Sequence, residues 1–153
     1  MGVSGMFLRK INGEKLSIVK KEIIDILNSL HYSYYDWNED TNGEDYCSIS
    51  VDKNEIGFIM HLYGLNDRKE NWHINWIDNN LNCVVDIEET WNCEEIVLEI
   101  LHKYMQLHPD TIYYDEMDWY YTKEDIDKVY NSNDHVHWKY KTLKLDKELQ
   151  QGE

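Results

Sequence analysis

The sequence predicts an α+β fold: a four-stranded antiparallel meander with helices packed on one face, ordered α-ββββ-α and followed by a β-α-β-like appendage. Three observations predict it. Apolar residues recur at three- and four-residue steps in two segments, over 13–31 and 92–107, as in helices with one buried stripe. Between them, four segments alternate apolar and polar residues at period two, as half-buried strands do. The connectors between most of those strands are short and turn-rich, which forces neighbours to run antiparallel.

The first helix carries Leu16, Val19, Ile23, Ile26, Leu27 and Leu30 on its stripe, with Asn12 as the expected N-cap. Lys21 falls off the stripe and faces water, while Lys20 lies nearer its edge. The predicted strands follow. Cys47, Ile49 and Val51 alternate with Ser48 and Ser50, and Ile56, Phe58, Met60 and Leu62 alternate with Gly57, Ile59 and His61. Trp72, Ile74 and Trp76 make the third, and Leu81, Cys83, Val85 and Ile87 the fourth. The second helix presents Ile96, Ile100, Leu101 and Tyr104, capped by Thr90 or Asn92, and His108-Pro109 ends it. The last third is less regular. Residues 112–114 form a short strand, Thr122 opens a helix to about Asn131 with Asp125 completing a capping box, and residues 135–140 form an edge strand. The segment 141–153 is a polar tail that is expected to fray.

No linker rich in Gly, Ser or Pro divides residues 1–153, and no internal repeat occurs, so a single domain is expected. With 42% hydrophobic and 13% aromatic residues the chain is too apolar for disorder despite its charge. Its three cysteines, Cys47, Cys83 and Cys93, are odd in number and lack a C-x-x-C spacing, which argues against a disulfide framework and for a reducing compartment. No basic segment leads into an apolar run at the N-terminus, and no apolar stretch approaches the ~18–20 residues that span a bilayer. The expectation is a soluble, cytoplasmic protein with no membrane partner. Alanine is absent, while Asn, Ile, Lys and Tyr abound, which is the coding bias of an AT-rich genome.

The formal net charge is −15 and it is unevenly spread. Residues 36–55, 78–99 and 110–127 each carry seven acids, against one lysine, none and one lysine respectively. The excess positive charge lies towards the two ends, around Arg9 to Lys21 and Lys139 to Lys147. This layout lacks the basic stripe that nucleic-acid binding needs. It suits a basic protein partner, or it serves solubility alone.

The usual enzymatic signatures are missing: no glycine-rich dinucleotide or phosphate loop, no nucleophile elbow and no H-E-x-x-H occurs. The expectation is therefore a protein without catalytic residues and without a cofactor. His135 and His137 fall on one face of the predicted edge strand and are weak candidate metal ligands, because the rest of a ligand set is not evident. Residues 38–43 (NEDTNG) resemble the start of a calcium loop, but the required bidentate acid is replaced by Ile49, so a turn is the better reading.

The most specific feature is interleaved aromatic and acidic residues. One group spans Tyr32 to Asp40 and contains Asp36, Trp37, Glu39 and Asp40; another spans Tyr113 to Tyr121 and contains Tyr114, Asp115, Glu116, Asp118, Trp119 and Tyr121. Trp and Tyr bring large contact area at small entropic cost, and neighbouring carboxylates suit Lys or Arg of a partner. These ten residues are the expected partner-binding set, with the acids exposed; the competing reading is that the rings cover their own domain. The stretch 112–126 (IYYDEMDWYYTKEDI), after a helix ending in His-Pro-Asp, resembles the ends of small immunity proteins of bacterial polymorphic toxin systems. The resemblance implies neutralisation of a cognate toxin by direct binding, and transfers no functional residue. A phage-encoded anti-defence protein or charge mimic of nucleic acid, and a small-molecule or metal-binding domain, are the alternatives.

Overall fold

The computed structural model describes residues 5–10, 12–38, 46–65, 81–88, 93–115, 119–136 and 138. In chain order the elements are β1 (Gly5–Lys10), α1 (Leu16–Ser29), β2 (Ser33–Asp36), β3 (Tyr46–Lys53), β4 (Ile56–Tyr63), β5 (Leu81–Glu88), α2 (Glu94–Leu107), β6 (Ile112–Asp115), β7 (Trp119–Tyr121) and α3 (Lys123–Tyr130). The seven strands form one antiparallel sheet in the order β2-β3-β4-β5-β1-β6-β7. The fold is α+β, as the patterning predicts.

The sheet is wider than the expected four strands. Its meander runs β2-β3-β4-β5, and β4 pairs directly with β5 through Met60↔Ile87 and Leu62↔Val85. The strand predicted over 72–76 lies outside the described residues. β1, which the periodicity does not reveal, is inserted between β5 and β6. Its residues Phe7, Leu8 and Arg9 are all buried, so both faces of the strand are covered and no polar alternation marks it.

Every helix contributes to one core on one face of the sheet. Phe7, Ile49, Met60, Leu62, Ile87, Tyr113 and Tyr121 face Val19, Ile23 and Leu27 of α1, Val97, Leu101 and Tyr104 of α2, and Ile126 of α3. Trp138 closes the core beside Tyr121, and its Nε1–H donates to Glu94 O at 2.9 Å. The described residues of the predicted edge strand 135–140, namely 135, 136 and 138, lie in bends and a turn, because Trp138 turns inward to fill this gap. On the opposite face Leu8, Leu81 and Cys83 form a smaller cluster with Met6, Tyr63, Ile112 and Tyr114 packed on it.

The helix ends follow local chemistry. α3 has the expected capping box: Thr122 Oγ1 accepts from Asp125 N, and the Asp125 carboxylate accepts from Thr122 N at 2.9 Å. α1 differs from expectation. It starts at Leu16 behind Lys15, while Asn12 Oδ1 accepts from Glu14 N at 2.9 Å and so shapes the approach to the helix instead of capping it. At α2 the N-cap position belongs to Cys93, and Glu94 and Glu95 suit the positive end of the helix dipole; Thr90 and Asn92 lie outside the described residues. Lys20, at the stripe edge, is buried and binds Asp36 and Asn38 O, each at 2.5 Å, which ties α1 to the end of β2.

Candidate protein-binding face

Strand register decides which side chains meet on the uncovered side of the sheet. Residues directly opposite in an antiparallel pair project to the same face. Ile49 and Val51 point to the helices, so Tyr46, Ser48, Ser50 and Asp52 point away, and register adds Ser33 and Tyr35 from β2 and Gly57, Ile59, His61 and Tyr63 from β4. Pairing with β5 then adds Asp86 and Glu88. Trp37, just past β2, joins the same face: its backbone N–H donates to Ser48 O at 3.0 Å and its indole N–H to Ser50 Oγ at 2.7 Å.

The result is a surface of exposed rings. Tyr35 and Trp37 are each 61% exposed and meet edge to face at 4.7 Å between centroids. Tyr46 is 50% exposed and stands beside Tyr63 at 6.1 Å and His61 at 6.4 Å. Ile59, 40% exposed, lies between the rings and Glu88 by register. Across the described residues of β2 to β5 and Trp37, no Lys or Arg projects on this side, since Lys53 turns to the helix side over the Tyr32 ring at 5.1 Å.

His61 is the polar centre. Its Nδ1 lies 2.9 Å from Ser48 Oγ, and its Nε2 is 3.5 Å from Glu88 Oε2. Asp86, opposite His61, has a carboxyl pushed above the usual carboxylate range by burial, with His61 opposing the rise and Glu88 adding to it. Ser48, His61 and Glu88 follow one another like a nucleophile, base and acid. They lie on the pleated surface of β3, β4 and β5.

The structure separates the residues expected at a partner interface. Trp37 is exposed on the face just described, and Tyr114 is half-buried on the same side, against the small cluster around Leu8. Asp36 is only partly exposed, and its carboxylate is engaged by Lys20 and by Asn38 N. Two expectations are corrected. Asp115 is 2% exposed and Tyr121 is fully buried. The cause is register: Asp115 pairs with Gly5 and Tyr121 with Tyr113, which places both on the helix side of the sheet. There Tyr121 packs against Tyr113 at 6.2 Å and Trp138 at 5.4 Å. Trp119 opens β7, opposite Asp115. Glu39, Asp40, Glu116 and Asp118 lie outside the described residues.

Of the histidine pair considered for metal, His137 lies outside the described residues. His135 is engaged elsewhere: its Nε2 is 2.8 Å from Tyr130 O, and its ring stacks on Tyr130, whose own ring stacks on His102 at 3.6 Å. Sequence reasoning missed Tyr46, Ile59, Asp86 and Glu88. Alternation in each strand already turned them outward; what it lacked was the register that brings them together.

No protein-family model, curated protein or solved structure matches the chain. Among the described residues, no helix is long and apolar enough to cross a membrane.

Proposed function

We propose that this chain is a non-catalytic binding protein that docks a basic protein through the open face of β2 to β5 and neutralises it, as small acidic immunity proteins neutralise toxins. One observation carries the reading: Tyr35, Trp37, Tyr46 and Ile59 stand exposed on one sheet face that also bears Asp52, Asp86 and Glu88 and no Lys or Arg among its described residues. Exposed rings of this size supply the anchor area of an interface, and the surrounding carboxylates supply the sign of the partner. The net charge of −15 extends the same field over the molecule, disfavours pairing with a second copy, and speeds encounter with a cation-rich surface. The site of action proposed with this reading is the cytoplasm.

The test is affinity capture from a lysate of the organism that carries the gene, using the whole chain and its Tyr35→Ala/Trp37→Ala/Tyr46→Ala variant. The expected result is a partner rich in Lys and Arg, bound directly by the wild type after purification. The variant, with an unchanged circular-dichroism spectrum, binds it at least ~10-fold more weakly, the loss typical of interface anchors. Equal binding by the variant, or a purified partner with no cationic excess, contradicts the proposal.

A further inference from the structure

On the helix side, away from the docking face, three donor side chains converge. Glu14 precedes α1, Glu22 lies within it, and His108 follows the last residue of α2. One donor atom from each lies within 4.8 Å of the others, and His108 Nε2 is 2.6 Å from Glu22 Oε2. All three residues are partly exposed, so solutes reach them. Glu22 also lines a cleft of about 530 Å³ between α1 and α2, with Asp25, His102 and Lys103 among the other walls.

Two features point from this cluster to a bound cation. Glu22 Oε1 is buried and meets no N–H or hydroxyl donor among the described residues, and the Glu22 side chain lies within hydrogen-bond reach of the Glu14 carboxyl, a second acceptor unless the two share a proton. A buried carboxylate oxygen in that state costs free energy, and an unplaced ion is one of its standard explanations. The second feature is Arg9, buried to 4% exposure, which donates to Glu14 Oε2 at 2.6 Å and to the Tyr104 hydroxyl at 3.0 Å. It fixes the Glu14 carboxylate from behind, as outer-shell donors fix the ligands of metal sites.

We infer that Glu14, Glu22 and His108 bind one divalent transition-metal ion of the zinc class, which pins the start and middle of α1 to the end of α2. One imidazole nitrogen and two carboxylate oxygens are a borderline donor set, suited to Zn²⁺ or Mn²⁺ and poorly suited to the soft ions that thiolates select. Glu22 Oε1 is the oxygen that gains a partner. Arg9 is a positioning residue.

The experiment is calorimetric titration of the chelator-treated full-length chain with Zn²⁺, alongside Glu22→Gln, His108→Gln and, as a control outside the cluster, His135→Gln. The expected result is one tight site that the first two variants weaken at least ~10-fold and the control leaves unchanged. A thermal-melt series should show Zn²⁺ raising the melting temperature of the wild type and the control alone. If either cluster variant fails to fold, Co²⁺ added to the wild type gives a second readout. Visible bands of nitrogen- and oxygen-coordinated Co²⁺ at one equivalent support the site, and the spectrum of the hydrated ion overturns it. Absence of a one-equivalent Zn²⁺ site in the wild type, or undiminished affinity in folded Glu22→Gln and His108→Gln, also overturns it.

Discussion

At the residue scale, the same side-chain type takes opposite roles according to strand parity. Tyr113 and Tyr121 fill the core and Tyr35 and Tyr46 stand in water, and nothing in their immediate sequence neighbourhoods separates them. Both pairs sit among acids, so the aromatic-acidic interleaving was legible but its division into core and surface was not. Asp115 shows the cost of reading charge alone, since its strand position, fixed by Gly5 across the ladder, outweighs the tendency of acids to be exposed. Asp86 offers a test at this scale. Burial holds its folded-state pKa above the unfolded value, so the folded chain binds the proton more tightly and the native state is penalised once the carboxyl ionises. The associated stability is present at low pH and is lost as pH rises through the folded-state pKa. Asp86→Asn should therefore melt at higher temperature than the wild type at pH 8, and the difference should close towards about pH 4, near the unfolded carboxyl pKa. A difference that grows on acidification would show that Asp86 is held as a carboxylate.

At the element scale, what was legible follows the strength of local periodicity. α1, α2, β3, β4 and β5 have full stripes or clean alternation and were found, as was α3 with its cap. β1 is a central strand whose covered faces leave no alternation, and β2 and β7 have only four and three residues, too few to establish a period. Their placement at the sheet centre and edges is set by pairing across long sequence separations. α3 is short, eight residues, and depends on its first turn and on packing against α2. Its cap is the Thr122–Asp125 pair, reinforced by Lys123–Asp127 at 2.5 Å. Thr122→Ala should lower stability by about 1 kcal/mol, or ~2–4 °C in melting temperature for a chain of this size. Thermal denaturation by circular dichroism checks this, and an unchanged melt would mean that packing alone holds the helix.

At the scale of the whole molecule, two faces of one sheet have divided the work. The helix side carries the continuous core and the Arg9–Glu14–Glu22–His108 network, and the other side carries a small apolar cluster near β1 and exposed rings near β2 to β4. The acidic excess was legible from composition, and the cationic partner proposed above rests on it. Where that charge meets aromatic area was not legible, because the face is assembled from β2, β3, β4 and β5 by register. The direct measurement is hydroxyl-radical footprinting of the chain, alone and in complex with the basic protein that the proposed capture experiment is expected to yield, read at single side chains by mass spectrometry. The account predicts that oxidation of Tyr35, Trp37 and Tyr46 falls sharply in the complex while exposed Leu107 on the helix side stays as reactive as before. Unchanged oxidation of those three rings, with protection confined to the helix side, would contradict it.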